Sequence, residues 1–151
     1  MDFPKIEGSN LEGRKYKLPQ DLDGKLNVVI MPFLREQQEL VDQWVFFLMD
    51  LFQKKPELRF YEIPTLQARD KYFQMAVDEA MRAGIPDKSA RERTITIYTN
   101  RDEFLPKLNI EGLEIIQIFL LNKDGQILWR SEGEFTKQKG IELKKTINES
   151  L

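Results

Sequence analysis

Between Leu26 and Phe33 the apolar side chains run nearly unbroken. The period then becomes helical, with Leu40, Val41, Trp44, Val45, Phe47, Leu48, Leu51 and Phe52 recurring at three- and four-residue steps. A segment apolar on both sides of the pleat suits a strand buried between two layers of helices. The stripe that follows is backed by Glu36, Gln37, Glu39, Asp42, Gln43, Asp50 and Gln53, which predicts an amphipathic helix from about Arg35 to Lys54. Trp44 lies on that stripe and is expected in the core. Lys54-Lys55-Pro56 ends the helix, because basic residues suit its negative end and proline cannot continue it.

The remaining pattern is more broken. Residues 1–25, with Gly8, Gly13, Pro19 and Gly24, predict a turn-rich extension with a short hairpin around Leu11 and Arg14–Leu18. Leu58–Ile63 reads as a second strand closed by Pro64. A helix is expected from about Leu66 to Ala83, with Gly84 as its left-handed cap. Thr94-Ile95-Thr96-Ile97-Tyr98 alternates, so Glu92–Thr99 reads as a third strand, and Asn100 or Asp102 can cap a short helix near Glu103–Leu108. Leu113–Leu121 and Gln126–Arg130 flank Asp124-Gly125, a pair favoured in tight hairpin turns. Phe135–Leu151 closes the chain as a helix, its apolar positions being Ile141, Leu143, Ile147 and Leu151. One domain spanning 1–151 is expected, of the α/β class with a mixed central sheet flanked by helices.

Composition narrows the chemistry. The chain has no cysteine and no histidine. Thiolate nucleophiles, zinc–thiolate and iron–sulfur sites are therefore excluded, and so is imidazole acid–base catalysis. No cofactor and no metal is expected. A net charge of −2 argues against a nucleic-acid partner, since phosphate-tracking surfaces carry an excess of Lys and Arg. Apolar runs are shorter than a membrane span needs and no leader pattern opens the chain, so a cytoplasmic location is expected.

The order strand, helix, strand, helix, strand, short helix, hairpin, helix resembles the thioredoxin fold with the N-terminal extension and insert of peroxiredoxin-like members. Tyr16-Lys17-Leu18-Pro19, Gly24-Lys25 with Val28-Val29-Ile30, and Phe119 through Ile127 followed by Gly133 are similar to that family's wording. The resemblance places the Cys-x-x-Cys motif at Gln38-Glu39-Leu40-Val41 and the facing cis-proline near Ile116, and neither is kept. It implies a redox-inactive copy. A narrower resemblance, carried by Tyr61-Glu62-Ile63-Pro64, Met81-Arg82-Ala83-Gly84-Ile85, Thr94–Thr99 and Phe119–Arg130, is to the thioredoxin-like assembly factor family of the mitochondrial ATP synthase. It implies an assembly-factor role without redox chemistry. The acidic N-terminus has no targeting pattern, so organelle and client are not carried over.

These readings lead to a non-enzymatic binding module, a chaperone or assembly factor with a protein partner held by Phe33, Arg35, Glu36, Gln38 and Ile116. Phe33 would supply an apolar pocket and Ile116 a strand edge for pairing. Two other readings stay open. An enzyme working with carboxylates or lysine would draw on Glu36, Glu62 and Lys123, although Glu62 is expected to face solvent. A homodimerising structural domain would show apolar surface at Phe33 or Trp129.

Overall fold

A computed structural model describes residues 1–151. The N-terminal hairpin, β1 (Ile6–Asn10) and β2 (Lys15–Leu18), leads to the buried strand β3 (Leu26–Met31). A 3-10 turn, Arg35–Gln37, opens directly into α1 (Gln38–Lys54). Then come β4 (Leu58–Glu62), β5 (Thr65–Gln67), α2 (Lys71–Gly84), α3 (Lys88–Arg93) and β6 (Ile95–Thr99). The chain ends with α4 (Arg101–Phe104) and a second 3-10 turn (Leu105–Leu108), β7 (Gln117–Asn122), β8 (Ile127–Glu132) and α5 (Lys137–Ser150).

The strands form two four-stranded mixed sheets, β2-β1-β6-β5 and β4-β3-β7-β8. β3 lies parallel to β4 and antiparallel to β7, and β5 lies parallel to β6. A parallel bridge between Glu62 and Thr94 joins the two sheets. Every residue of β3 is buried, as its apolar composition requires. Its alternating side chains feed two cores. Val29 and Met31 join Phe33, Phe104, Leu108 and Phe119 on one face, while Val28 and Ile30 join Trp44, Leu48, Leu143 and Ile147 beneath α1 and α5 on the other.

Several element boundaries differ from the sequence reading, each for a local reason. Thr65–Gln67 pairs with β6, so the helix expected from Leu66 starts only at Lys71, where the Asp70 carboxylate accepts from Phe73 N at 3.0 Å. Gly84 ends that helix without a positive φ, so it is not a left-handed cap. Asp87 caps α3 through Ala90 N at 3.1 Å, which makes Glu92 and Arg93 helical and starts the third strand at Ile95. The hairpin strand expected from Leu113 begins at Gln117. In α5 the buried stripe is Gly140, Leu143 and Ile147, leaving Ile141 and Leu151 outside it.

Candidate functional site

β3 delivers the chain to the head of α1, the point where parallel α/β sheets present their functional groups. Gln37 organises that head. Its Oε1 accepts from Phe33 N at 2.8 Å and Leu34 N at 3.0 Å, and its Nε2 donates to Leu113 O at 2.7 Å. One buried amide thus fixes the entry into α1 and ties it to the loop ahead of β7. On the other side Arg101 Nη1 donates to Phe33 O at 3.2 Å and Thr65 O at 3.4 Å.

These contacts correct two of the expected partner-binding residues. Phe33 is 2% exposed and packs in the core, with its backbone N–H and carbonyl both engaged, so it forms no surface pocket. Ile116 is fully buried in the second core, and its carbonyl accepts from Gly133 N at 2.9 Å, which removes it as a free pairing edge. The resemblance singled them out by their place beside the groove, and their apolar character is what draws them inward. Arg35, Glu36 and Gln38 are exposed at the helix head, and neither Arg35 nor Glu36 takes part in an ion pair.

Gln38 stands where the resemblance put the first thiol, and its amide bridges two carboxylates. Nε2 donates to Asp42 Oδ1 at 3.0 Å and reaches Glu62 Oε1 at 3.5 Å. Glu62 is half-buried at the end of β4, and not solvent-facing as expected. Burial pushes its carboxyl up to about 7 and nearby Asp42 adds to the rise, while the hydrogen bond from Gln38 opposes it. Lys123, grouped with Glu36 and Glu62 in the enzyme reading, lies at the far end of β3: its neighbour Asn122 pairs with Leu26, and its ammonium donates to Leu22 O at 3.1 Å. The structure does not bring those three residues together. No group of three or more acidic, histidine or cysteine residues is disposed to hold a metal.

The sign expected of a dimerising domain is absent where it was sought. Phe33 is core and Trp129 packs partly buried near Trp44, their rings 6.3 Å apart. Exposed apolar side chains occur instead on α2, at Tyr72 (81%), Phe73 and Met75, and singly at Phe46 on α1. Gln37, expected on the polar face of the helix, is instead buried, and Arg101 was not singled out; their roles depend on contacts across 76 and 68 residues of chain. Only the placement of a glutamine three residues past Leu34, a capping-box spacing, hinted at the first. Off the head, the same loop also borders an open cavity of about 550 Å³, lined by Glu111, Glu114, Gln117, Arg130, Ser131 and Glu132 among others.

Comparison by sequence finds no matching family model and no matching curated protein. Comparison by structure finds many thioredoxin-like proteins. BsSco, a member of the Sco family of cytochrome c oxidase assembly proteins, superposes with a TM-score of 0.66 at 15% identity over 99% of this chain and 93% of that one. A thiol-disulfide oxidoreductase from Bacteroides fragilis gives 0.62 at 15% identity, covering 96% of this chain and 98% of its own. The pneumococcal exposed lipoprotein thioredoxin of Streptococcus pneumoniae gives 0.59 at 13% identity, over 96% and 99%. The fold is therefore thioredoxin-like, in a chain that carries no cysteine.

Proposed function

We propose that this protein is a redox-inactive thioredoxin-like module that binds a segment of another protein, as a chaperone or assembly factor would, through the surface at the head of α1. The observation that carries the proposal is the state of that head. Gln38 and Val41 occupy the positions the resemblance assigns to the two thiols, the turn is locked by Gln37, and Arg35, Glu36, Gln38 and Glu39 stand exposed around it. A rigid, charged surface whose Arg35 and Glu36 form no ion pair can make contacts, yet it holds no thiol for the redox chemistry of the resembling family. The resemblance to a non-redox assembly factor family and the likeness to BsSco, itself in an assembly-protein family, support the same direction. The contacts come from the rim residues, with Phe33 and Ile116 acting as its foundation.

The test is photo-crosslinking in the native cell from a benzoylphenylalanine placed at Glu36 or Gln38, against the same probe at Gln53 or Lys145. Adducts confined to the first pair support the reading, and adducts only from the second pair overturn it. The exposed Tyr72, Phe73 and Met75 of α2 favour a second reading, a homodimer closed over that helix. Sedimentation of the wild type and of a Tyr72→Ser/Met75→Ser variant decides it: a dimer that the substitutions dissociate is required.

A further inference from the structure

β8 forms the open end of the sheet β4-β3-β7-β8. Its first residues already carry a partial partner. Asp2 pairs antiparallel with Gln126, Met1 O accepts from Ile127 N at 2.9 Å, and Phe3 N donates to Gly125 O at 2.8 Å. The edge is thus geometrically able to accept a strand. From Leu128 to Ser131 no strand covers that side, and Lys139 closes the far end by donating to Glu132 O. The open stretch leads into the cavity of about 550 Å³ described above.

What fills such an edge is decided by the cavity's chemistry. Its one guanidinium is engaged internally: Arg130 Nη1 donates to Leu108 O at 2.8 Å and Nη2 to Gln117 Oε1 at 3.1 Å, with the guanidinium 4.8 Å from the Phe119 ring centroid. Gln117 Nε2 turns to Ile115 O and to Glu132 Oε2 at 3.4 Å. Its carboxylates keep most of their acceptor capacity, Glu132 giving up one oxygen to Gln117. Glu111, Glu114 and Glu132 are exposed, and none of them forms an ion pair with a lysine or arginine of this chain. Three carboxylates against one engaged guanidinium leave a negative site with unused lone pairs, which calls for a cation bearing several N–H groups. Ile115, 46% exposed, lines the same cavity and adds apolar contact.

We infer that the open edge of β8 takes up an extended segment of a partner protein by strand addition, with an arginine or lysine of that segment seated among Glu111, Glu114 and Glu132. Main-chain pairing supplies affinity, and the carboxylates choose the side chain. The inference rests on the reading of the protein as a binding module, and it adds to the contacts at the helix head a second one at the β8 edge.

The experiment is an NMR titration of the isotope-labelled full chain with a blocked heptapeptide of alternating threonine and valine bearing one central arginine. A citrulline peptide and methylguanidinium alone serve as comparisons. Amide shifts are expected at 128–132 and 111–114, with affinity falling about tenfold or more for the citrulline peptide, for methylguanidinium, and for the Glu111→Gln/Glu114→Gln chain. Equal affinity for the arginine and citrulline peptides, no binding at all, or equal binding of methylguanidinium overturns the inference. If the double variant fails to fold, the wild type in about 0.5 M salt replaces it: the arginine peptide must weaken and the citrulline peptide must not. Shifts confined to 35–38 overturn the edge assignment and leave the module reading standing. No partner adduct from any position in the cell removes the module reading itself.

Discussion

Glu62 shows how much a single side chain's surroundings can matter in a chain without histidine. Because its carboxyl is raised from 4.5 to about 7, the folded chain holds that proton more tightly than the unfolded chain does. The stabilisation is complete at pH below the ordinary carboxyl range and is lost as the pH rises through about 7. Glu62→Gln, which keeps the shape without the charge, is therefore expected to match the wild type near pH 4 and to exceed it by about 1–3 kcal/mol above pH 8 in urea denaturation. Equal stabilities at high pH would mean that the ionised carboxylate is well solvated. Gln37 makes three hydrogen bonds from a buried amide, so Gln37→Ala should cost about 2–4 kcal/mol and speed amide exchange in residues 111–116. Trp44 is fully buried and its Nε1 donates to Gly133 O at 2.9 Å. Trp44→Ala is expected to cost about 3–5 kcal/mol, and a loss under about 0.5 kcal/mol would contradict its place in the core. Trp44's burial was legible from its place on a helical stripe. The surroundings of Glu62 were not, because a lone carboxylate in a strand gives no sign of which side of the pleat is covered.

At the scale of elements, the segment that leads into α5 meets α1 through aromatic rings. Phe135 stands edge-on to Trp44 with centroids 5.2 Å apart and lies 4.7 Å from Phe47. Gly140 gives that cluster its room: a Cβ there would come within 2.9 Å of Phe135 Cζ and 3.1 Å of Phe47 Cε1. Gly140→Ala, which in an exposed helix would stabilise by about 1 kcal/mol, is expected to destabilise by about 1–2 kcal/mol in thermal melts. The helix head carries its own element-scale test. Gln38→Cys with Val41→Cys sets two sulfurs one helical turn apart, within a disulfide's reach, so the folded double variant should oxidise reversibly under mild oxidant. Failure to form that bond would count against the register drawn from the thioredoxin resemblance. Strong periodicity located α1 and β3 to within a few residues. Where caps and strand pairing competed with it, as at Asp70, Thr65 and Asp87, the boundary moved, because a cap or a bridge depends on a partner that periodicity does not describe.

Across the whole molecule, a thioredoxin-like framework holds a charged surface at the position where the resemblance places the thiols. The fold class was legible in the order of elements and the Asp124-Gly125 hairpin, where Gly125 has φ of 83°. The exposure of the candidate site's residues was legible only in part. Arg35, Glu36 and Gln38 stay exposed as expected, while Phe33 and Ile116 sink into the two cores that flank β3. An apolar residue beside a site looks the same in sequence whether it lines a pocket or supports its floor. The division of labour, buried foundation and polar rim, leads to the measurement that bears most directly on the account. With a partner identified by crosslinking from the helix head, its affinity and the melting temperature are measured for the wild type and for Arg35→Ala/Glu36→Ala/Gln38→Ala. Affinity is expected to weaken about tenfold or more, with the melting temperature moved by no more than about 3 °C. Unchanged affinity in that folded variant would contradict that expectation.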